Sequence, residues 1–528
     1  MAKKIVKRRR MSLSKENIQR KEKFQYILIL EGIGVGFFVG LIVSMFRFAF
    51  IKSESMRDIL VEASHQRILV ALLAAGLLLF MLTVATAITK REPISGGSGI
   101  PQVEAELKGK LNAGWMPVII GKFAGGILTV ASGLSLGSEG PSVQLGAMTG
   151  KGFSRINQRL KTEEKLLLTC GSGAGLAAAF GAPLAGVVFT LEELHKNFSK
   201  EVLLCTMSAA ITADCISSYI FGLKPVFSFT VTNGMPLDRV WMAAILGLIL
   251  GAFGVFYNKT TFFVQDMFAK FNPIFGRIVI PFVMVVVLAV TLPEALGSGS
   301  KLIGPTGEGI FSAKTLVILL VVKYVSSALS FGTGLPGGTF LPLLVLGALS
   351  GGLFTEVFSP LVGYEAHYTQ YFVILGMAGY FSAIVRAPIT GIILISEMTG
   401  TFSNLLALSM VSLAAYMTAE VLKGGPIYEQ LTERLIAGGK VKNTNRRNKI
   451  LIESEVYHGS IMDGSPLADI ELPLGCLVVS IMRDRHEIVP GGSTVIKAGD
   501  KLIILCNEGL VMEVQKELDK KCRTMYRI

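Results

Sequence analysis

The sequence predicts an all-α polytopic membrane protein of two related halves with broken helices, followed by a small α/β domain. Three observations predict it. Hydrophobic runs of spanning length recur up to about residue 425. Two glycine-rich segments of the first half return in the second at a nearly constant offset. Beyond residue 449 the pattern changes to short runs rich in β-branched residues.

Of the 528 residues, 51 % are hydrophobic and 17 % are charged, against the roughly 25 % charged of soluble domains. The mean hydropathy is +0.57, which excludes an ordinary soluble globule. YILILEGIGVGFFVGLIVSMF, RILVALLAAGLLLFMLTVATAI, WMAAILGLILGAFGVF and KTLVILLVVKYVSSALSF each suit a helix crossing a hydrocarbon core of roughly 30 Å. On the order of ten such stretches make the chain multi-pass and lipid its surroundings. Many of the 58 glycines lie inside these runs, which implies close helix packing and interrupted helices.

The net charge of +13 is concentrated at the start, where residues 1–25 hold ten Lys or Arg and two Glu. Basic residues beside a first spanning helix keep that flank inside. The expectation is a plasma-membrane protein with both termini cytoplasmic, and nucleic acid is not an expected partner. Six cysteines show neither CxxC nor metal-type spacing, so no disulfide framework and no metal site are expected. The sequence carries no phosphate loop, no HExxH and no convincing Ser/His/Asp set, and it is not read as an enzyme.

The repeat can be aligned by eye. SGLSLGSEGPSVQLGAMTG (132–150) lies over TGLPGGTFLPLLVLGALSG (333–351) at an offset of 201, pairing Gly137 with Gly338, Pro141 with Pro342 and Gly146 with Gly347. GSGAGLAAAFGAPLAGVVFTLEEL (171–194) lies over GMAGYFSAIVRAPITGIILISEMT (376–399) at an offset of 205, pairing Ala182-Pro183 with Ala387-Pro388 and Glu192 with Glu397. Repeated halves with broken helices are the pattern of secondary transporters, whose sites form where the broken ends meet. Helix ends at membrane depth need partners, which an ion can supply.

Within the first repeat unit, GSEGPSVQLG (137–146) places Glu139 between long apolar runs, and an acid at that depth is a functional candidate. In GSEGP and GGTFLP, glycines precede an apolar helical run, where free N–H groups and the positive end of the helix dipole favour anions. GGSGIP (96–101) has the same build, and Ser98 can add a hydroxyl donor. Three such elements with little acid beside Glu139 imply an anion site. A cation site would want carboxylates and carbonyls.

GSGIP (97–101), GSEGP (137–141), GGTFLP (337–342), the Glu192-Glu193 pair and GGPIY (424–428) resemble, in order and approximate spacing, the CLC family of chloride channels and chloride/proton antiporters. The resemblance covers about residues 27–430. It implies a homodimer with one anion pathway per subunit and a membrane domain over 26–435 whose halves, about 27–222 and 238–430, have inverted topology. It implies that Ser98 and Tyr428 give hydroxyls to a central chloride and that the backbone N–H groups of Thr339 and Phe340 complete its shell, with the backbone near Ser138, Gly140 and Leu341 close by. Serine at position 98 resembles the chloride-selective form. Glu139 corresponds to the gating glutamate, which takes and releases the external proton, and Glu193 to the internal proton-transfer glutamate of the exchangers. An exchanger of two chlorides per proton is expected; the alternative is a passive chloride channel gated by Glu139.

Ser138 departs from the resemblance, which has Arg or Lys there, and Lys122 in IIGKFAGG, matching a family lysine, is expected to supply positive potential. Glu192 is read as structural or as a proton-entry group, and Arg386 and Glu397 as structural.

The basic stretch IAGGKVKNTNRRNK (436–449) reads as a linker, and residues 450–528 as a separate domain in which ILIESEV, CLVVSIM, HEIVP and KLIILC are strands and EGLVMEVQKELDKK a helix. The run LVVSIMRDRHEIVPGGSTVIKAGDKLIIL resembles the TrkA C-terminal regulatory domain. That implies dimerisation and a small effector, cyclic di-AMP among the candidates, near Arg483, His486 and Ile488. No other cofactor is expected.

Overall fold

In this computed structural model the described residues are 2–65, 67–196, 198–227, 229, 235–270, 275–362, 368–437, 449–472, 475–483, 486–507, 514–515, 517–518 and 521–522. The side chains of the basic segment 2–25, most of the linker and much of the C-terminal helical run fall outside them. The chain divides into two compact units, residues 1–441 and 442–528.

Among the described residues of the first unit, eight α-helices are followed by eight counterparts and one more. The first eight are α1 (Ala2–Ser64), α2 (Ile68–Arg91), α3 (Ile100–Leu107), α4 (Trp115–Ala131), α5 (Glu139–Ile156), α6 (Lys161–Phe180), α7 (Pro183–Phe189) and α8 (Lys200–Phe221). Their counterparts are α9 (Trp241–Lys270), α10 (Ile280–Thr291), α11 (Ile303–Gly307), α12 (Ala313–Gly332), α13 (Phe340–Val362), α14 (Thr369–Val385), α15 (Pro388–Thr399) and α16 (Leu405–Val421), after which α17 runs Ile427–Ala437.

Among the described residues six helices are long and apolar enough to span, and five apolar ones are shorter, at 10–17 residues. The expectation of about ten full spans is corrected accordingly. The shortening has a local cause in both halves. α6 ends on Gly181 at φ +64 and α14 on Arg386 at φ +72, each just before an Ala-Pro that cannot continue the ladder. Arg386 holds its left-handed backbone by donating to Tyr416 O at 2.6 Å and Gly424 O at 2.5 Å.

The halves are bonded to each other through equivalent atoms. Gly137 N–H donates to Gly338 O at 2.7 Å, and Gly338 N–H returns the bond to Gly137 O at 2.9 Å. Gly97 N–H donates to Gly334 O at 3.0 Å, while the equivalent Gly297 N–H donates to Gly133 O at 3.1 Å. Glu192 accepts from the N–H groups of Ile389 and Thr390 at the start of α15, at 3.2 and 2.7 Å. Its counterpart Glu397 accepts from Leu184 and Ala185 at the start of α7, at 3.1 and 2.8 Å. Reciprocal bonds between repeat-equivalent residues are what an internal two-fold axis produces, the arrangement of inverted-repeat transporters. Glu192 is thereby resolved as a structural cap of the opposite half, like Glu397.

Glycine sets the helix spacing. A Cβ on Gly146 would stand 2.1 Å from Gly171 O where α5 crosses α6, and one on Gly347 would stand 2.4 Å from Gly376 O where α13 crosses α14. Gly32 and Gly36 serve α1 likewise, since a Cβ would come within 2.1 Å of Ser208 Oγ and 2.4 Å of Ala209 O. This is the close approach that small residues permit in membranes. Gly347→Ala is expected to force the crossing apart and cost about 2 kcal/mol, typical of overpacking. Thermal unfolding in detergent would show it, with Gly76→Ala, whose Cβ meets nothing within 4 Å, as the silent control.

The second unit carries a four-stranded antiparallel sheet ordered β1-β4-β2-β3, with β1 at Lys449–Glu455, β2 at Leu477–Arg483, β3 at His486–Ile488 and β4 at Lys501–Asn507. Ile452, Val478, Ile481, Leu502 and Ile504 alternate onto one buried face. Arg483 closes the sheet by a fork onto Asp500, donating from Nε and Nη2 at 2.7 Å each. Burial alone would raise the Asp500 carboxyl, but the Arg483 guanidinium and the Lys497 N–H hold it below the usual carboxylate range. A carboxyl lowered in the folded state stabilises it above the unfolded value, and that contribution is lost as the pH falls through the folded value. Arg483→Met strands a buried carboxylate and is expected to cost about 3 kcal/mol at neutral pH. The deficit should shrink toward pH 3, as hydrogen exchange of β2 and β4 in the full chain would register.

Candidate functional site

The site lies where the glycine-rich loops of the two halves meet. Gly97 holds Gly334 and accepts from Gly337 N–H at 3.0 Å, and Gly137 holds Gly338, so the loops before α3, α5 and α13 form one bonded cluster. Lys122 secures the first of them. Its buried Nζ donates to the carbonyls of Ser95 at 2.9 Å and Gly97 at 2.7 Å. Beyond the positive potential expected of it, its ammonium is committed to carbonyls and positions the loop that carries Ser98. Sequence reasoning missed its partner Lys323, although 323 lies 201 residues on, the repeat offset itself. Lys323 Nζ holds Ala295 O at 3.1 Å, Gly297 O at 2.6 Å and Ser135 Oγ at 2.9 Å.

Four buried polar side chains end at this cluster without hydrogen-bond partners: Ser98 Oγ, Thr339 Oγ1, Tyr428 OH and Glu139 Oε2. Buried polar groups are ordinarily satisfied, so four unpartnered ones at four helix starts mark a place for a ligand. Ser98 rests on Gly140, where a Cβ would come 2.6 Å from its Oγ. Tyr428, the second residue of α17, has Thr339 beside its hydroxyl and faces both Glu139 and Glu193. Leu343 N–H is used by Thr339 O at 3.0 Å, but among the described residues no acceptor takes the N–H groups of Thr339 or Phe340. The Phe340 ring packs between Phe180 and Phe381, with centroids 5.3 and 4.9 Å away, and walls the site.

Glu139 is 1 % exposed. It is the first residue of α5, and its carboxylate folds back over Gly137, whose Cβ, if present, would stand 2.1 Å from Oε2. The N–H groups of Glu139 itself and of Leu341 face the carboxylate, and Ser138 Oγ lies 3.4 Å from Oε1. On its other side opens a cavity of about 450 Å³ lined by Arg47, Glu54, Ser138, Phe180, Lys301 and Leu341 among others. Arg47 of α1, which donates to Ala178 O and Ser217 Oγ, and Lys301 of the turn before α11, which is paired with Asp58, are the cations that line this cavity.

Glu193 is 5 % exposed. It sits in a π-helical turn, Thr190–Leu194, a widened geometry common at functional sites, and its Oε1 has no partner. The structure brings Ser98, Glu139, Thr339, Phe340 and Tyr428 together, with the backbone of Ser138, Gly140 and Leu341, and sets Glu193 apart, beyond Tyr428. In the second unit, Arg483 is engaged by Asp500 and also donates to Val495 O at 2.7 Å. His486 is exposed at the hairpin, and Ile488 packs against the domain core.

Paired inverted halves, broken helices and a cluster of unpartnered buried donors are the build of a membrane protein that passes ions through its own interior. Residues 80–420 match the family described as voltage gated chloride channel, and the chain belongs to that CLC family. Residues 451–519 match the TrkA-C domain. The chain is 33 % identical to the H(+)/Cl(-) exchange transporter ClcA of Salmonella arizonae, covering 83 % of this chain and 94 % of that protein. It is 35 % identical to ClcA of Yersinia pestis over 66 % of this chain and 75 % of that one. Its fold is similar to that of a slow cyanobacterial Cl-/H+ antiporter, with TM-score 0.74, 29 % identity and coverage of 79 % of this chain and 99 % of that one.

Proposed function

We propose that the chain is a secondary active transporter exchanging chloride for protons, two chlorides per proton, as a homodimer of the plasma membrane with both termini cytoplasmic. The observation that carries the reading is the pairing of a cluster of unpartnered buried donors with two buried acids, Glu139 and Glu193. Chloride is held by the Ser98 and Tyr428 hydroxyls and the N–H groups of Thr339 and Phe340. The Glu139 carboxylate occupies the outermost anion position, facing the N–H groups that chloride would use. It can leave into the outer cavity at low cost once a proton neutralises it.

Chloride entry and proton uptake at Glu139 are thereby one event, and such coupling is reciprocal by linkage. Glu193 passes the proton to or from the inner side. A passive channel has no use for a second buried acid there, which disfavours that reading. The TrkA-C domain is proposed to bind a small effector, such as cyclic di-AMP, at the hairpin of Arg483, His486 and Ile488. His486 is the exposed group there, and an anionic effector would have to share Arg483 with Asp500. The test of exchange is made in proteoliposomes. An outward chloride gradient is expected to acidify the lumen from equal starting pH, and chloride efflux without acidification would reject it.

A further inference from the structure

We propose that Lys196 is a positioning residue, a latch between the helix that Ser98 precedes and the helix that carries Tyr428, whose grip follows the proton state of Glu193. The inference rests on the exchange reading. Lys196 follows the π-turn of Glu193 with its backbone at φ +52, a left-handed conformation that a lysine adopts at some cost. That turn of the chain brings Nζ to 3.5 Å from Glu104 Oε1 and 3.3 Å from Glu429 Oε1.

The two acids belong to the elements that build the anion site. Glu104 lies on α3, which Ser98 precedes, and Glu429 follows Tyr428 on α17. Glu104 is buried and held independently: Thr432 Oγ1 of α17 donates to its Oε2 at 2.7 Å, and Lys108 Nζ lies 2.8 Å from its Oε1. Glu429 is more open and has the weaker hold. Both Lys196 distances exceed the 2.7–2.9 Å typical of committed charge-assisted bonds, so the ammonium is shared. The charged groups facing Glu193 are Lys196 and Glu192 from its own segment, Glu104 from α3 and Glu429 from α17.

Lys196 is therefore the cation these acids share, Lys108 being committed to Glu104. An ionised Glu193 draws the ammonium from Glu429 and loosens α17 from α3. A protonated Glu193 returns it, and α17 with Tyr428 is drawn back to α3, the helix that Ser98 precedes. The proton's arrival at Glu193 is thus felt at the inner face of the chloride site without direct contact.

The test compares wild type, Lys196→Met, Lys196→Arg and Glu429→Gln in proteoliposomes, reading protons moved per chloride and the dependence of exchange on pH at the face of Glu193. Lys196→Met is expected to lower the ratio by about twofold or more and move the pH profile upward by about one unit, the effect of losing a nearby opposite charge. Lys196→Arg should restore both, and Glu429→Gln, which also serves if the methionine variant does not fold, should lower the ratio. A wild-type ratio and profile in Lys196→Met, or an arginine variant as impaired as the methionine one, overturns the latch while exchange stands. A wild type that moves chloride without protons overturns both.

Discussion

Glu193→Gln is expected to carry chloride at a rate within about twofold of wild type while its proton flux falls roughly tenfold or more, a loss of about 1.4 kcal/mol in the proton step. The expectation follows from where Glu193 stands. It is buried in a π-turn apart from Ser98, Thr339 and Phe340, so an amide there leaves the four chloride donors and the outer cavity untouched. The amide is close in size to the acid and cannot carry a proton. Simultaneous recording of chloride and pH in proteoliposomes separates the two fluxes. Proton flux equal to wild type would make Glu193 a packing residue.

Glu139→Gln is expected to have the opposite reach, removing proton coupling and also the dependence of chloride flux on pH. The carboxylate lies over Gly137 against the N–H groups of Glu139 and Leu341, and it competes with chloride only while ionised. Glutamine imitates the protonated acid at every pH, so chloride should persist with a flat profile between about pH 4 and pH 8, the range over which buried carboxyls titrate. Chloride affinity should likewise cease to fall as the pH rises. A flux that still responds to pH in this variant would move the gate elsewhere, with Glu54 in the same cavity the next acid to examine.

Much of this arrangement is legible in the chain because repeats and glycine motifs are local patterns. The offset of 201 residues foretells that Gly137 and Gly338 are equivalent, and the structure adds that they bond each other. Glu139, Ser98 and the glycine-rich starts GGSGIP, GSEGP and GGTFLP read as an anion site from their own chemistry, while Tyr428 and the roles of Thr339 and Phe340 come only with the resemblance to the CLC family. Contacts between distant segments were not legible. Nothing in EELHK shows that Lys196 reaches Glu104 and Glu429, because the reach depends on a left-handed turn at the lysine itself. The pair Glu192 and Glu397 could be aligned, but that each caps the other half's helix needs the two-fold axis. Arg483 could be picked out near a turn, while its fork onto Asp500 joins the end of β2 to the loop before β4. Nothing in the structure explains the serine at position 138.

The central claim is that chloride and proton movements are one process, and coupling must then run in either direction. Vesicles containing the full chain are prepared acidic inside, with equal chloride on both sides and the potential clamped at zero by potassium and an ionophore. Exchange predicts that protons leaving the lumen drive chloride inward, above its outside concentration, until the chloride gradient balances what remains of the proton gradient. Chloride that stays equal across the membrane while the proton gradient persists or leaks away would contradict the account.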